Sequence, residues 1–336
     1  MLQIQGNYLE GGGSIVRLAV ALSAITQIPI KITNIRQFRD SSGLKTQHLR
    51  AVESVANLCN GKLKNAFLGS TEIEFHPGNI EKNKLKVNIE TAGSVGLLLQ
   101  CLILPCFYNQ KETEIEITGG GTVGLHAPNL LYTESVLLPL IKKLGFEASL
   151  KIRKHGFFPK GGADVVCNIK NCKPESLHIL ERGNLIEIKG ISLATEDLKS
   201  RNVTERQASS AKKVLKDYNI KIENIYTSSL STGSALLLYA EFDNTIIAWD
   251  SIGERGKAAE IVGEEAANGL IEQLSSESTL DDYMQDQILI FMALAKQGSF
   301  KFNNLTDHTK TNMWLIEKFL PIKFEIIDKV ISCKQT

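Results

Sequence analysis

Apolar residues in the first part of the chain alternate between short runs typical of strands and longer runs typical of helices. The segment 14–25 is apolar nearly all round, which predicts a largely buried helix. The isoleucine-rich run 28–35 and the alternating run 70–78 predict strands. Between them, 43–62 has the pattern of an amphipathic helix that ends at Gly61.

The same succession of elements then recurs. Residues 85–106 predict a strand, a glycine turn and a buried helix, and residues 112–145 predict a strand, a second glycine turn and a second helix. A hairpin over 147–169 follows. Gly12 and Gly93 occupy equivalent places 81 residues apart, which indicates a structural repeat of strands plus two helices.

A third copy and an insertion account for the remainder. The hydrophobic segments 281–297 and 311–320 predict two further helices, and strands drawn from 164–180 and the C-terminal run complete a third unit. Residues 183–279 interrupt this unit with a long helix, a β pair and another helix. They end in the polar run 275–279, which is typical of a linker. The pattern therefore predicts an α+β fold with α/β-like repeats and an inserted α+β unit.

Composition excludes several classes of protein. The chain has 336 residues, 43% of them hydrophobic and 22% charged, and a net charge of +1, so any nucleic-acid partner would be contacted locally rather than through bulk basicity. The N-terminus lacks the pattern of a signal peptide, and the most apolar run, 94–107, is shorter than the ~20 residues that span a bilayer and contains Gln100. The cysteines include no Cys-x-x-Cys pair, which favours buried thiols in a cytoplasmic protein over disulfides or structural zinc.

The segment 9–17, LEGGGSIVR, combines a glycine turn with two charged residues. Its three glycines let the backbone approach a ligand closely and expose N–H groups at the start of a helix, where anions are favoured. Glu10 is a candidate ligand of a divalent cation, and Arg17 needs a partner that a phosphate or a carboxylate could supply. A tight turn with a structural Glu–Arg pair would give the same pattern, and the spacing matches neither a P-loop nor a dinucleotide-binding turn.

Two further loops carry weaker signals. The stretch 36–49 contains Arg39 and Gln47 and suits phosphate or sugar contacts, although a solvated basic loop has the same composition. The glycine turn 118–128 follows a strand, where sheet proteins often bind ligands, and His126 within it is interpreted as incidental.

The start of the helix in 281–295 is also a candidate for ligand binding. Asp286 and Gln287 open this apolar helix as good N-terminal residues, and Tyr283 could stack on a base. Helix capping accounts for the aspartate equally well.

His308 lies in LTDHTKTNMW (305–314), a polar stretch before a hydrophobic helix. Zinc binding is unsupported because no second histidine or cysteine lies at ligand spacing, and no nucleophile elbow is present for a serine-type triad. A histidine that acts as a covalent nucleophile needs only an electrophile held by metal and phosphate contacts, which Glu10, Arg17 and the glycine turns would supply. A surface histidine without a role is the alternative at this point.

Taken together, these stretches resemble the RNA 3'-terminal phosphate cyclase family over nearly the whole chain. The resemblance is carried by GNYLEGGGSIVRLAVALSAITQIPIKITNIR, ETAGSVGLLLQ, HGFFPKGG, ERGN, DYMQDQILIFMALA and DHTKTN. It implies three repeated βαβα-type units, like those of initiation factor 3 and the enolpyruvyl transferases, forming a large domain over 1–182 and 280–336. A small α+β domain would be inserted over 183–279.

The resemblance also implies a reaction, the ATP-dependent conversion of an RNA 3'-phosphate into a 2',3'-cyclic phosphodiester. In the family a histidine attacks the α-phosphorus of ATP through Nε2 and releases pyrophosphate, and the matching position here is His308. AMP then passes to the terminal phosphate, and the neighbouring 2'-OH closes the ring and expels AMP. Because the 2'-OH is the attacking group, cyclisation requires RNA.

Further roles are implied by matching positions. Arg17 and Arg39 match arginines that hold phosphates in the active site, and Glu10 matches the glutamate that places Mg²⁺ or Mn²⁺ against the triphosphate. The implied ATP pocket consists of Gln47, Gln100, Pro128, Tyr283, Met284, Gln285, Asp286 and Gln287, of which Pro128 and Tyr283 sandwich the adenine. The implied partners are ATP and an RNA 3'-phosphate end, and the oligomeric state is left open, a homo-oligomer included.

Three stretches depart from the family pattern. Residues 161–163 end in alanine where a third glycine is usual, and the loop after Arg39, at 40–44, lacks the commoner basic residues and proline. Residues 122–128 lack the usual polar residues. The last two bear on RNA contacts, and neither touches His308.

Two competing functions are weighed against this one. A cyclase-like relative acts in ribosomal RNA processing without nucleotidyl transfer and lacks the nucleophilic histidine, so His308, Glu10 and Arg17 favour the catalytic branch. An enolpyruvyl transferase would need a cleft between two three-repeat halves, and this chain is too short to build them.

Overall fold

The computed structural model describes residues 1–125 and 127–336. His126 lies outside the described residues, so its interpretation as incidental stays a prediction. The described strands form four sheets of four strands each. The predicted α+β class is confirmed.

The first unit forms the sheet β1-β2-β4-β3. Its elements are β1 (Leu2–Gln5), α1 (Gly13–Thr26), β2 (Ile30–Thr33), α2 (Thr46–Leu58), β3 (Lys62–Lys64) and β4 (Ile73–His76). β1 pairs in parallel with β2, and β4 pairs antiparallel with both β2 and β3. The parallel pair needs a crossover, which α1 provides, and most of α1 is buried as its apolar pattern predicts.

The second unit forms the sheet β5-β6-β8-β7 with the same pattern of pairing. Its elements are β5 (Lys84–Ser94), α3 (Val95–Cys106), β6 (Thr113–Gly121), α4 (Leu130–Tyr132), α5 (Leu138–Lys142), β7 (Ala148–Lys154) and β8 (Asp164–Ile169). A π-helical turn, Thr133–Leu137, joins α4 to α5, where Pro139 has no N–H to donate to an α-helical bond. The two glycine turns predicted here are strand ends, because β5 runs to Ser94 and β6 to Gly121.

The third sheet is interrupted in sequence by a fourth. After β9 (Leu177–Ile179), the chain forms β10 (Leu185–Thr195), α6 (Val203–Val214), β11 (Ile220–Thr227), β12 (Ser234–Phe242), β13 (Ile246–Ile252) and α7 (Ala259–Ser275). It then returns as α8 (Met284–Leu294), β14 (Gly298–Lys301), α9 (Asp307–Glu317), β15 (Ile322–Ile327) and β16 (Val330–Gln335).

The third sheet has the order β9-β14-β16-β15, with one parallel and two antiparallel pairs like the first two sheets. The expectation that 164–180 supplies its strands is wrong for 164–169, because β8 pairs antiparallel with β6 and β7 in the second sheet. Only β9 of that stretch reaches the third sheet. The bounds of the two domains stay a prediction.

The inserted sheet, β11-β10-β12-β13, is buried on both faces. Side chains alternate along a strand, so Leu236 and Leu238 of β12 pack with α6 and α7, whereas Ala235 and Leu237 pack on the core of the repeat units. This second contact brings β13 to the wall of the cavity described below.

The polar run 275–279 is fixed to the protein. The Arg182 guanidinium donates hydrogen bonds of 2.6–2.9 Å to the carbonyls of Gln273, Leu274, Ser276 and Ser278. Within this run Ser278 and Thr279 are buried, and the Thr279 hydroxyl donates to the Ile179 carbonyl at 2.6 Å, whereas Ser275 and Glu277 are exposed.

Two expectations from composition can be compared directly with the structure. All six cysteines are free thiols, five of them buried and Cys172 partly exposed. Among the described residues, no helix combines the length and apolar character that a bilayer crossing requires.

Candidate active site

A cavity of about 1000 Å³ lies where α1, α3, α8, α9 and the inserted sheet meet. The predicted site residues that line it are Glu10, Arg17, Arg39, Gln47, Gln100, Pro128, Tyr283, Asp286, Gln287 and His308. Two predicted residues do not reach it: Met284 and Gln285 are fully buried, and the Gln285 amide donates to Asp282 at 2.9 Å.

The glycine turn before α1 is shaped by the carboxylate of Glu10. Its Oε2 accepts hydrogen bonds from the Gly12 N–H at 2.7 Å and from the Ser14 hydroxyl at 2.9 Å. A Cβ atom on Gly12 would lie 1.9 Å from Glu10, and one on Gly13 would lie 2.1 Å from Nε2 of His48. A side chain at either position would displace the Glu10 carboxylate or the His48 ring from the place it occupies.

Glu10 also joins two other predicted residues. Its Oε1 accepts from Nη2 of Arg39 at 2.5 Å and lies 3.7 Å from Nε2 of His308. His308 is the second residue of α9, and 51% of its side chain is exposed. The His308 imidazole therefore lines the cavity beside the carboxylate of Glu10, which belongs to the glycine turn.

The polar neighbours of His308 fasten α9 to the rest of the site. Thr306 caps the helix by accepting from the Thr309 N–H, and the Thr311 hydroxyl accepts from the Glu10 N–H at 3.4 Å. The Asn312 amide donates to the Asp286 carbonyl at 3.1 Å. Within the described residues none of them hydrogen-bonds the imidazole, so backbone placement sets its position.

Arg17 is buried in α1, with 8% of its surface exposed, and lines the cavity. Its guanidinium makes no hydrogen bond or ion pair within the described residues. Burial lowers its pKa, while Cys101, Glu10 and Asp286 oppose this effect. Because this guanidinium lines the cavity without a direct partner among the described residues, it is a site for an anion that enters the cavity.

His48 is a second candidate donor at the same place. Burial lowers its pKa to about 3, helped by the positive charges of Arg17, Arg36 and Lys45. Its Nδ1 accepts from the Lys45 N–H at 3.2 Å, so we assign the proton of the neutral ring to Nε2, beside Gly13. The ring therefore offers an N–H without a positive charge.

The opposite wall carries the residues expected to bind the base of ATP. The Gln100 amide donates to the Gln287 amide oxygen at 2.8 Å, and Gln287 in turn donates to the Tyr283 carbonyl at 2.8 Å. Tyr283 and Pro128 both line the cavity. Trp249 stacks on Tyr283 with ring centroids 4.7 Å apart, so the tyrosine ring is held on one side.

Two aspartates at the start of α8 have different roles. Asp281 is fully buried and accepts from the Tyr132 hydroxyl at 2.7 Å and from the N–H groups of Ala248 and Met284 at 2.9 Å. Capping, which the sequence offered as the alternative role of Asp286, is therefore performed by Asp281. Asp286 lines the cavity, and loss of hydration raises its pKa to about 7.

The inserted unit contributes a part of the cavity that sequence reasoning missed. Its lining residues include Trp249, Asp250, Ser251, Lys257 and Glu265. Burial raises the pKa of Asp250, and Lys257 binds both Ser251 and Glu265. The signal in the sequence was the polar residues that follow Trp249 in an otherwise apolar strand. A strand pattern alone does not show which neighbouring unit the strand packs against.

The donor set around Glu10 can be tested against a divalent cation. Within the described residues no group of three His, Cys, Asp or Glu side chains could hold a metal ion. Mg²⁺ commonly binds through one or two carboxylates together with substrate phosphates and water, so a single glutamate beside an anion site fits a cation that arrives with a nucleotide. Both Glu10 oxygens already accept hydrogen bonds, so such a cation would compete with Arg39 for Oε1.

Comparison with known proteins identifies relatives of this chain. The family model described as RNA 3'-terminal phosphate cyclase matches residues 8–326. The protein of that name from Methanosarcina barkeri is 40% identical over 331 residues, covering 98% of this chain and 97% of the relative. Those from Saccharolobus solfataricus and Pyrococcus abyssi are 40% and 38% identical over 333 residues, covering 98% of this chain and 97% and 96% of the relatives.

One solved structure resembles part of the chain. It is the enolpyruvyl transferase NikO from Streptomyces tendae, 15% identical, with a TM-score of 0.29 and coverage of 51% of this chain and 33% of that one. At that TM-score the likeness carries no argument about the fold or the function.

Proposed function

The chain belongs to the RNA 3'-terminal phosphate cyclase family and is a cyclase enzyme, and we propose that it uses ATP to convert an RNA 3'-phosphate into a 2',3'-cyclic phosphodiester through a histidine–AMP intermediate on His308. A cytoplasmic location stays a prediction of the sequence, and the assembly state remains open.

One observation carries the proposal. Nε2 of His308 lies 3.7 Å from Glu10, and both residues line the same cavity as the N-terminus of α1 and Arg17, whose guanidinium has no hydrogen-bond or ion-pair partner among the described residues. Helix N-termini and buried arginines favour phosphate, and a neutral imidazole is a competent nucleophile toward phosphorus. The site thus combines a nucleophile with the groups that would hold a polyphosphate beside it.

In the first step, the Nε2 lone pair of His308 forms a bond to the α-phosphorus of ATP. The bond from that phosphorus to the bridging oxygen of the β-phosphate breaks, and pyrophosphate leaves with the electron pair. Arg17, the Nε2–H of His48 and the free N–H groups of α1 would stabilise the negative charge that develops on the phosphates. Mg²⁺ or Mn²⁺, held by Glu10, would supply additional positive charge there.

In the second step, an oxygen of the RNA 3'-phosphate attacks the adenylyl phosphorus, and the bond to Nε2 of His308 breaks. The product is RNA(3')pp(5')A. The ribose 2'-oxygen then attacks the terminal RNA phosphorus, loses its proton and expels AMP. Adenylylation is needed because a phosphate monoester has no good leaving group of its own.

Labelling with ATP tests the proposal. Incubation with α-labelled ATP and magnesium should place an acid-labile, alkali-stable label on wild-type protein, and chelation of the metal should prevent it. His308→Ala should carry no label, whereas His178→Ala, a control on β9 remote from the cavity lining, should label like wild type.

Two outcomes would contradict the proposal. Equal labelling of His308→Ala and wild type would show that another residue is the nucleophile. An unlabelled wild-type protein that still binds RNA would instead favour the cyclase-like function without nucleotidyl transfer.

A further inference from the structure

Two exposed apolar residues adjoin in sequence the members of the Glu10–Arg39 ion pair, which line the cavity. Leu9, which precedes Glu10, is 51% exposed, and Phe38, which precedes Arg39, is 76% exposed. Leu9 has a φ of +41°, a strained conformation for a bulky residue. Because the Phe38 ring is so exposed, it adds nothing to the core, and core packing does not explain its position.

The backbone that carries Phe38 is fixed by hydrogen bonds. The Arg39 N–H donates to the Arg36 carbonyl at 3.1 Å, which closes a turn with Gln37 and Phe38 at its two central positions. Asn7 donates to the Gln37 side chain at 2.7 Å, and Arg39 is held by Glu10. The loop therefore presents the ring at a defined place relative to the glycine turn.

The surroundings of Phe38 are cationic. Arg36 and Arg39 flank it in the sequence, their like charges contribute to a lowered pKa of Arg36 after the effect of burial, and both line the cavity with Lys45. A flat apolar surface between positive charges is complementary to a ligand that joins a flat ring to phosphates. A nucleotide of a single-stranded RNA has this chemistry.

We propose that Phe38 is the stacking platform for the terminal nucleobase of the RNA substrate, next to the 3'-phosphate that the active site receives. The proposal rests on the proposed function, since it assigns a place to the substrate of that reaction. Stacking on an aromatic ring tolerates every base, so this subsite would hold RNA ends without regard to sequence. Stacking on Phe38 would also compensate for the absence of basic residues, and so of phosphate contacts, in 40–44.

The test measures transfer of AMP from pre-labelled enzyme, so that effects on the use of ATP are excluded. Adenylylated protein is mixed with a short RNA that ends in a 3'-phosphate, and loss of label is followed over a range of RNA concentrations. Phe38→Ala should raise the half-saturating RNA concentration about 5- to 100-fold, which corresponds to the stacking energy of one base. Phe38→Tyr, which keeps the ring, should stay within about two-fold of wild type.

Two controls make the result specific. Phe158→Ala removes a phenylalanine that is equally exposed, at 76%, but is not flanked by cavity-lining arginines, and should not change the half-saturating concentration. An RNA whose terminal nucleotide lacks its base should bind wild type and Phe38→Ala equally.

The proposal is overturned if Phe38→Ala matches wild type with intact RNA, or if the difference persists with the abasic end. Unchanged RNA binding would mean that the ring serves another partner, such as a protein. Failure of wild-type protein to take up label would instead contradict the proposed function, so the two failures are distinguishable.

Discussion

The most informative single residue in the site is Arg17. The sequence predicts that an arginine in an apolar helix has a partner, but within the described residues its guanidinium has none. A desolvated cation left in this state lowers the stability of the free protein, and it gains most when a phosphate enters. Arg17 thus favours anion binding and lowers the stability of the free protein. The sequence could not reveal this, since whether a tertiary partner exists is not a local property.

Arg17→Met should therefore separate stability from activity. We expect its free energy of unfolding to rise by about 1–3 kcal/mol without ligand, because a neutral side chain replaces a buried unpaired charge. Adenylylation by ATP should fall at least about 100-fold. Thermal or denaturant unfolding and α-labelled ATP measure the two effects.

Arg182→Met is the matched control for this experiment. Arg182 donates to four backbone carbonyls, which the substitution would leave without their donor, so this variant should lose stability. If Arg17→Met is destabilised as much as Arg182→Met, Arg17 has a structural role and the interpretation is wrong.

At the scale of elements, α8 shows what the pattern of apolar residues can and cannot predict. The apolar run in 281–297 predicts this helix correctly, and the structure places it at Met284–Leu294. The same pattern left Asp286 open between ligand binding and capping, and in the structure Asp281 accepts the first N–H groups. Periodicity locates a helix. Which nearby carboxylate caps it depends on Tyr132 and Ala248, which are distant in sequence and donate hydrogen bonds to Asp281.

The inward position of Asp286 predicts a dependence of stability on pH. Its pKa is raised from 3.8 to about 7, chiefly by burial and further by Asp281, while Arg17 opposes the shift. The folded state therefore holds the proton more tightly than the unfolded state, and stability falls as pH rises from about 4 to about 7. Asp286→Asn lacks this effect, so its free energy of unfolding should rise relative to wild type by on the order of 2 kcal/mol between pH 5 and pH 8.

Denaturant titrations at several pH values measure this difference. A constant difference between Asp286→Asn and wild type from pH 5 to pH 8 would show that Asp286 is ionised throughout.

At the scale of the whole molecule, the sequence predicts the repeats better than their assembly. The first two sheets have the same strand order, whereas the equivalence of Gly12 and Gly93 stays a prediction, because Gly12 caps α1 and Ser94 caps α3. The sequence pattern does not show that β13 of the inserted sheet reaches the cavity, because local periodicity carries no information about which unit a strand faces. The same limit explains the misplacement of 164–169, which reads as a strand in either sheet.

The position of Trp249 gives a way to detect this assembly in solution. The chain has two tryptophans, Trp249 on Tyr283 and Trp314 stacked on Tyr8 outside the cavity lining. In Trp314→Phe, the emission of Trp249 should change saturably with ATP, because a base that stacks on Tyr283 enters beside the indole. In Trp249→Phe, the remaining emission should stay constant, and the half-saturating ATP concentration for adenylylation should rise about 5-fold or more through loss of support for Tyr283. Constant Trp249 emission at ATP concentrations that saturate labelling would place the base elsewhere and leave the inserted unit without a part in nucleotide binding.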